Sequence, residues 1–404
     1  MSVAGALSGL RVVDATQMLA GPLAATRLGD LGADVIKVEP PKSGEFNRTH
    51  GFADATHDGE MTTFLAVNRN KRSLAVDLKS AEGREVIHRL IRNSDVFIQN
   101  FRHGTADRLG IGWDELHEVN PRLVYCSISG YGSRGPLRDR PGQDLILQGY
   151  SGSMFSVGAA GEPPRAGALW AADVMTGYQA AIGILAALTA RESSGQGQHV
   201  EVDMLSVVLD AQLQEIVTFL NTGQQPSRPE TPSAHASIPA PYGVYRTKDG
   251  WLTLAMSPLP ALGEMLDDDW LRSLSDYNEG ILRRDDVYRR IVDAFQVRTT
   301  DEWVRLSDNY GVWVGPVYDY ADLLEDKHID EVGIFVDQPG RGTSGVRTVR
   351  IPIQMSGTPP TIRRGAPSLG EHTAEVLLEI GYQDEEIALL SGSGVVRIVE
   401  GSQS

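Results

Sequence analysis

An α/β protein with a parallel sheet is the fold class this sequence predicts, and three observations predict it. Short apolar runs alternate with stretches of helical period, the first three segments read as strand, helix and strand, and the same alternation repeats further along; 404 residues, more than a single hydrophobic core usually organises, add the expectation of two lobes. The opening strand is Leu10-Arg11-Val12-Val13-Asp14, a short run of buried type. Ala20-Gly21-Pro22 leads into residues 23–31 at helical spacing, and Gly32-Ala33-Asp34-Val35-Ile36-Lys37-Val38-Glu39 returns as a second strand. The pattern repeats with a strand at residues 73–77, a helix at 82–93, and strands at 96–99 and 123–127.

Residues 173–191 form a long helix rich in Ala, Gly and Ile, small enough on most faces to pack tightly. Gly195-Gln196-Gly197-Gln198 turns into a strand at 199–203, and 205–220 reads as one further helix. Pro, Ser and Thr accumulate over 224–241, which marks a linker or lid and sets the lobe boundary. A strand pair at 243–256 is turned by Lys248-Asp249-Gly250, and an acidic helical stretch runs to about Asp308. From Ile334 the chain is strand-like again, and helices at 371–380 and 384–390 close it.

Composition narrows the function. With 37 Lys+Arg against 53 Asp+Glu, a net charge of −16 disfavours a nucleic-acid binder, whose affinity rests on neutralising phosphates. No run approaches about 18 uninterrupted apolar residues, so no membrane span is expected. Residues 1–9 lack a secretory pattern, and Cys126 is the single cysteine, which suits a reducing, cytoplasmic setting.

Familiar cofactor motifs are missing. Gly21-Pro22 follows the first strand without the three-glycine dinucleotide spacing, and no Gly-Lys-Ser/Thr phosphate loop exists. Gly149-Tyr150-Ser151-Gly152-Ser153 fails the serine-nucleophile pattern by one glycine, and the nine histidines have no metal-ligand spacing. No metal and no tightly bound cofactor are expected. What remains is a carboxylate, Asp144, which follows the turn Pro141-Gly142 and heads an apolar segment. Taken alone, such an aspartate is more often a helix N-cap.

Several blocks read together resemble the family III CoA-transferases, the group containing formyl-CoA transferase and carnitine CoA-transferase. They are Leu7-Ser8-Gly9-Leu10-Arg11-Val12-Val13-Asp14 with Ala20-Gly21-Pro22, Leu31-Gly32-Ala33-Asp34-Val35-Ile36-Lys37-Val38-Glu39, Asn70-Lys71-Arg72-Ser73 with Asp77-Leu78-Lys79, Asn100-Phe101-Arg102, and Arg108-Leu109-Gly110. Ser129-Gly130-Tyr131-Gly132 precedes the Asp144 block, and Gly370-Glu371-His372-Thr373 completes a resemblance spanning about residues 7–390.

The resemblance implies that Asp144 is the catalytic residue. It would attack an acyl-CoA thioester to form a mixed aspartyl anhydride, take back CoA as an enzyme thioester, and pass it to an acceptor acid. Coenzyme A and acyl-CoA are then substrates, and a carboxylic acid is the second partner. By position the coenzyme contacts would be Gln17, Met18, Leu19 and Ala20; Val76, Asp77, Leu78 and Lys79; Asn100, Phe101 and Arg102; Arg108; and Ser129, Gly130, Tyr131 and Gly132. Taken alone, Lys79 and Arg108 read more often as solvated surface residues, and Phe101 reads equally as an adenine platform or as core packing. Arg48, Gln143, Gln148 and Asp173 are supporting candidates.

The implied fold is a Rossmann-like large domain with a smaller α+β domain, two copies interlocked as a homodimer. Residues 1–225 and 331–404 would form the large domain and 226–330 the small one. Leu19 stands where formyl-CoA transferase has a glutamine, Pro40 replaces an arginine, and residues 232–241 lack a glycine-rich loop. These departures argue against formate and oxalate, and Met18-Leu19 suggests an aliphatic or larger acyl group. Two alternatives stay open: an α-methylacyl-CoA racemase, whose histidine is here Gln143 and whose aspartate matches Asp173, and a non-catalytic acyl-CoA binder.

Overall fold

The computed structural model describes residues 4–274, 278–340 and 345–399. They form two compact units, one within Met1–Leu147, Trp170–Val208 and Val332–Ser404, the other within Gln148–Leu169 and Leu209–Glu331.

The larger unit is built on β1 (Arg11–Asp14), β2 (Asp34–Glu39), β3 (Lys71–Val76), β4 (Val96–Gln99), β5 (Val124–Ser129) and β6 (His199–Asp203). All six pair in parallel in the order β3-β2-β1-β4-β5-β6. A short strand, Val396–Arg397, adds an antiparallel edge beside β3, which the sequence did not announce because two residues carry no period. The order reverses between β1 and β4, the switch point beside which doubly wound sheets bind ligands at their carboxyl ends.

Strand residues alternate between two cores, as the pleat requires. Val13, Ile36, Leu74, Phe97 and Tyr125 face the helix α2 (Ala81–Ile91) through Val86, Ile87 and Leu90. Val12, Val35, Ile98 and Cys126 pack on the other face with α1 (Ala20–Asp30) and the long helix Ala171–Ser194. By length and composition that long helix is the one among the described residues able to span a membrane. Its Ala180, Ile184, Ala187 and Leu188 lie in the core with Ala24 and Leu28 of α1. The returning C-terminal segment is tied in by Arg363, whose guanidinium donates to the Gly29, Gly32 and Ala33 carbonyls at the end of α1.

The smaller unit holds a three-stranded antiparallel sheet, Gly243–Arg246, Trp251–Leu254 and Val314–Pro316, packed on short helices through Leu252, Leu254, Tyr288, Phe295 and Trp303. The turn at Lys248-Asp249-Gly250 lies where expected. The single helix expected at 205–220 is instead two, Met204–Asp210 and Leu213–Thr222, because the Gln212 amide bonds the Leu209 carbonyl in a tight turn that breaks the helical ladder.

Candidate active site

The parallel strands end in loops, and four of those loops carry the residues singled out in the sequence. Gln17, Met18, Leu19 and Ala20 follow β1; Asp77, Leu78 and Lys79 follow Val76 at the end of β3; Asn100, Phe101 and Arg102 follow β4; and Gly130, Tyr131 and Gly132 follow Ser129 at the end of β5. Two of these loops meet at the switch point. The Asn100 side chain accepts from the Gln17 amide at 3.0 Å and donates to the Gln17 carbonyl at 2.8 Å. Gln17 and Met18 are exposed beside this junction, and Met18 adopts the left-handed backbone at φ +69°.

Asp144 opens the helix α3 (Asp144–Tyr150), and it is buried, with 2% exposure. Its carboxylate caps a different helix from its own. Asp144 Oδ1 accepts the Asp173 amide at 3.2 Å, and Asp173 is the third residue of α4 (Ala171–Ser194), whose own cap residue, Trp170, supplies no side-chain bond. The carboxylate thus sits where helix N-terminal amides favour negative charge. Both readings of Asp144, cap and reactive group, therefore describe the same atoms.

The Asp173 side chain is drawn to the same place from the other side. Burial pushes its carboxyl from the ordinary 3.8 up to about 6, the neighbouring Asp144 charge adds to the rise, and a hydrogen bond from the Ala20 amide opposes it. Ala20 opens α1, so residues from the β1 loop, α3 and α4 converge on one pair of carboxyl groups. The β5 loop reaches them through glycine: a side chain at Gly130 would come within 2.5 Å of Gly142 Cα, so the two backbones touch, two residues before Asp144. Tyr131 packs with Leu147, Ala172 and Met204 beneath this turn.

The other candidates have surroundings of their own. Phe101 packs against the core, and its amide donates to Gln99 Oε1 at 2.8 Å. Arg102, Arg108 and Lys79 are exposed, with Arg108 bonded to Thr105 Oγ1 at 2.8 Å. Arg48 forms a two-pronged pair with Glu39 at 2.7 and 2.8 Å and a further one with Glu60, which commits its guanidinium to holding the loop after β2. Gln143 is exposed. Gln148 belongs to the smaller unit, where it accepts the Gly167 amide at 2.9 Å and donates to the Leu169 carbonyl.

What the sequence reading missed is a buried ionic layer under the β1 loop. Asp14, Lys37 and Lys71 are fully buried; Lys71 Nζ reaches Asp14 Oδ2 at 2.8 Å, the Pro22 carbonyl at 2.9 Å and Asn68 Oδ1 at 2.9 Å. Burial opposes ionisation of Asp14, but Lys37 and Lys71 outweigh it and hold its carboxyl at about 2. Burial and the like charge of Lys37 outweigh Asp14 at Lys71, pushing that ammonium down to about 8. A signal was present: Lys37 interrupts Val35-Ile36-Lys37-Val38, and a charge inside a strand buried on both faces must be paired. Among the described residues no cluster of three or more His, Cys, Asp or Glu is placed to hold a metal ion.

Comparison with known proteins bears on what these groups do. Residues 7–373 match the family described as CoA-transferase family III. A succinate–glutarate CoA-transferase from Agrobacterium fabrum is 36% identical, with 93% of this chain and 95% of the relative covered. The beta subunit of a succinyl-CoA–L-malate CoA-transferase from Chloroflexus aurantiacus is 35% identical, covering 96% of this chain and 98% of the relative. Among solved structures, a CaiB/BaiF family protein from Brucella suis superposes with a TM-score of 0.83 at 31% identity, over 94% of this chain and all of that one.

Proposed function

Because this chain belongs to CoA-transferase family III and is a CoA-transferase, we propose that it moves coenzyme A between carboxylic acids through a covalent intermediate on Asp144. The observation that carries the proposal is the placement of that carboxylate at the amino end of α4, beside Asp173 and the Ala20 amide. A carboxylate nucleophile is negatively charged, and the amides at a helix N-terminus favour negative charge beside them. Its oxygen attacks the thioester carbonyl, the C–S bond breaks, and CoA leaves as thiolate. The thiolate then attacks the aspartyl carbonyl of the anhydride, releasing the first acid and leaving an aspartyl thioester. The acceptor carboxylate repeats the two steps in reverse.

Carboxylates are weak nucleophiles, so the rate rests on orientation, which supplies about 7–11 kcal/mol when attack occurs within a bound complex. We place the coenzyme in the crevice at the switch point, along Gln17–Ala20, Val76–Lys79, Asn100–Arg102 and Ser129–Gly132, with Lys79 and Arg108 toward its phosphates. Exposed apolar side chains on the larger unit, Met175, Tyr178 and Ile182 among them, follow one stripe of α4 and fit a second copy of the chain. On this reading the active protein is a homodimer, and sedimentation at falling concentration tests it. Succinyl, glutaryl and malyl groups belong to the relatives; here the exposed Met18 and the half-buried Leu19 favour an apolar acyl group.

Incubation with an acyl-CoA donor, followed by hydroxylamine and mass spectrometry of the peptides, tests the covalent step. Hydroxamate at residue 144 is the expected result, and its absence during active turnover overturns the proposal. One observation favours a second reading: a carboxyl at about 6, such as that of Asp173, can exchange a proton with an α-carbon. Deuterium uptake at that carbon without any acceptor acid would favour the racemase reading.

A further inference from the structure

The loop after β1 has an unusual property for a surface turn. Every main-chain polar group of Thr16, Gln17 and Met18 is bonded to a side chain from elsewhere. The Thr16 amide donates to Asp14 Oδ1 at 3.0 Å and its carbonyl accepts from Lys37 Nζ at 2.9 Å. The Gln17 amide and carbonyl are both taken by Asn100. The Met18 amide donates to Glu45 Oε2 at 3.1 Å, and its carbonyl accepts from Asn47 Nδ2 at 2.7 Å. Glu45 is itself fixed: it is 5% exposed, its amide bonds Glu39 at 3.1 Å, and its Oε1 lies 3.9 Å from Lys37 Nζ.

Such a clamp has a consequence for binding. The loop cannot offer these amides to a ligand, because all are used; what it offers is the exposed side chains of Gln17 and Met18. A methionine at φ +69° is disfavoured, and it persists only where its surroundings over-determine the backbone. Removing the clamp lets the loop relax, and a ligand must then reorder it on arrival, at the expense of affinity.

We propose that Glu45, Asn47 and Lys37 are positioning residues for thioester binding, holding the Thr16–Met18 main chain in the conformation that presents Gln17 and Met18 to coenzyme A. The proposal rests on the coenzyme occupying the switch-point crevice. Glu45 contributes through one oxygen shared by the Met18 and Asn47 amides, so a buried side chain from the loop after β2 holds the main chain of the loop after β1. Lys37 closes the arrangement from below by joining the loop to the Asp14 layer.

The test is steady-state transfer by Glu45→Ala, Glu45→Gln, Asn47→Ala and Gln17→Trp, with melting temperatures. Glu45→Ala and Asn47→Ala should raise KM for the acyl-CoA donor about tenfold with kcat changed by less than about threefold, the pattern of lost preorganisation. Glu45→Gln, which keeps an acceptor for the Met18 amide, should recover most of the loss. Asn47 is only half-buried, so its variant folds even where Glu45→Ala does not. Gln17→Trp blocks the crevice while leaving the main-chain bonds in place, and it separates two failures. If Gln17→Trp raises KM and neither clamp variant does, the positioning role is overturned. If none of the three raises KM, the coenzyme does not use this crevice and the reading beneath the proposal falls.

Discussion

Replacing Asp144 by asparagine isolates the chemistry of one oxygen. The amide has the same shape and retains an oxygen able to accept the Asp173 N–H at 3.2 Å, so the cap on α4 survives. Loss of charge at a helix N-terminus costs about 0.3–1 kcal/mol, and relief of burying a charge works the other way, so stability should change by less than about 1 kcal/mol. Asp144→Ala removes the cap as well and should cost about 0.5–2 kcal/mol. Both variants close the covalent route. If orientation of that carboxylate supplies at least about 7 kcal/mol, and each 1.4 kcal/mol is tenfold, transfer should fall by about 10⁵-fold or more in each. The assay is CoA transfer from a donor thioester to a panel of acids, read by mass spectrometry beside thermal melts. Turnover by Asp144→Asn within about 100-fold of the parent would refute the reasoning, as would loss of activity that only tracks loss of fold.

The remaining predictions concern the groups around that oxygen. The Asp173 carboxyl is raised from 3.8 to about 6, so its contribution to stability is full below about pH 4 and is lost as pH rises through 6. Asp173→Asn should therefore stabilise the protein at pH 7 by up to about 3 kcal/mol, with the gain gone below pH 4; urea melts across pH that show no such convergence exclude the assigned environment. Lys71→Met strips three bonds from a buried ammonium and leaves Asp14 poorly compensated, at a cost of about 3–5 kcal/mol. Adding Asp14→Asn should restore part of it, and strict additivity in that double-mutant cycle would show the pair to be uncoupled. Gly130→Ala drives a methyl to 2.5 Å from Gly142 Cα, so it should cost about 1–3 kcal/mol and lower kcat by shifting Asp144; normal kcat in a folded variant would deny the coupling.

The charged layer beneath the crevice explains why these strands depart from plain apolar runs. Asp14, Lys37, Glu39 and Lys71 lie on three adjacent strands, and each is buried. Replacing the whole set by well-packed hydrophobic residues of similar volume would be as stable or more so. What the charges provide is direction, since Lys37 and Asp14 fix both polar groups of Thr16 and Lys71 grips the Pro22 carbonyl at the start of α1. Rigidity at the switch point is thereby built into the strands themselves.

Much of the larger unit was legible in the residues. Alternation of Val12 and Val13, or of Phe97 and Ile98, between two cores follows from a pleat with helices on both sides, so period and element order suffice to predict a parallel sheet. Asp144 stood out through the family resemblance, since its turn and apolar segment alone suggest only a helix cap. That its carboxylate accepts the Asp173 amide at the start of α4 was invisible, since the bond joins residues 29 apart. The pairing of Arg48, a supporting candidate by resemblance, with Glu39 was invisible for the same reason: spacing along the chain does not say which charge answers which. Local sequence determined which segments are strands and helices, because backbone period and side-chain shape act over a few residues. Only the tertiary structure decided the strand order, the meeting of Asn100 with Gln17, and the convergence of Asp144, Asp173 and Ala20, because those depend on burial and long-range hydrogen bonds that no local pattern encodes.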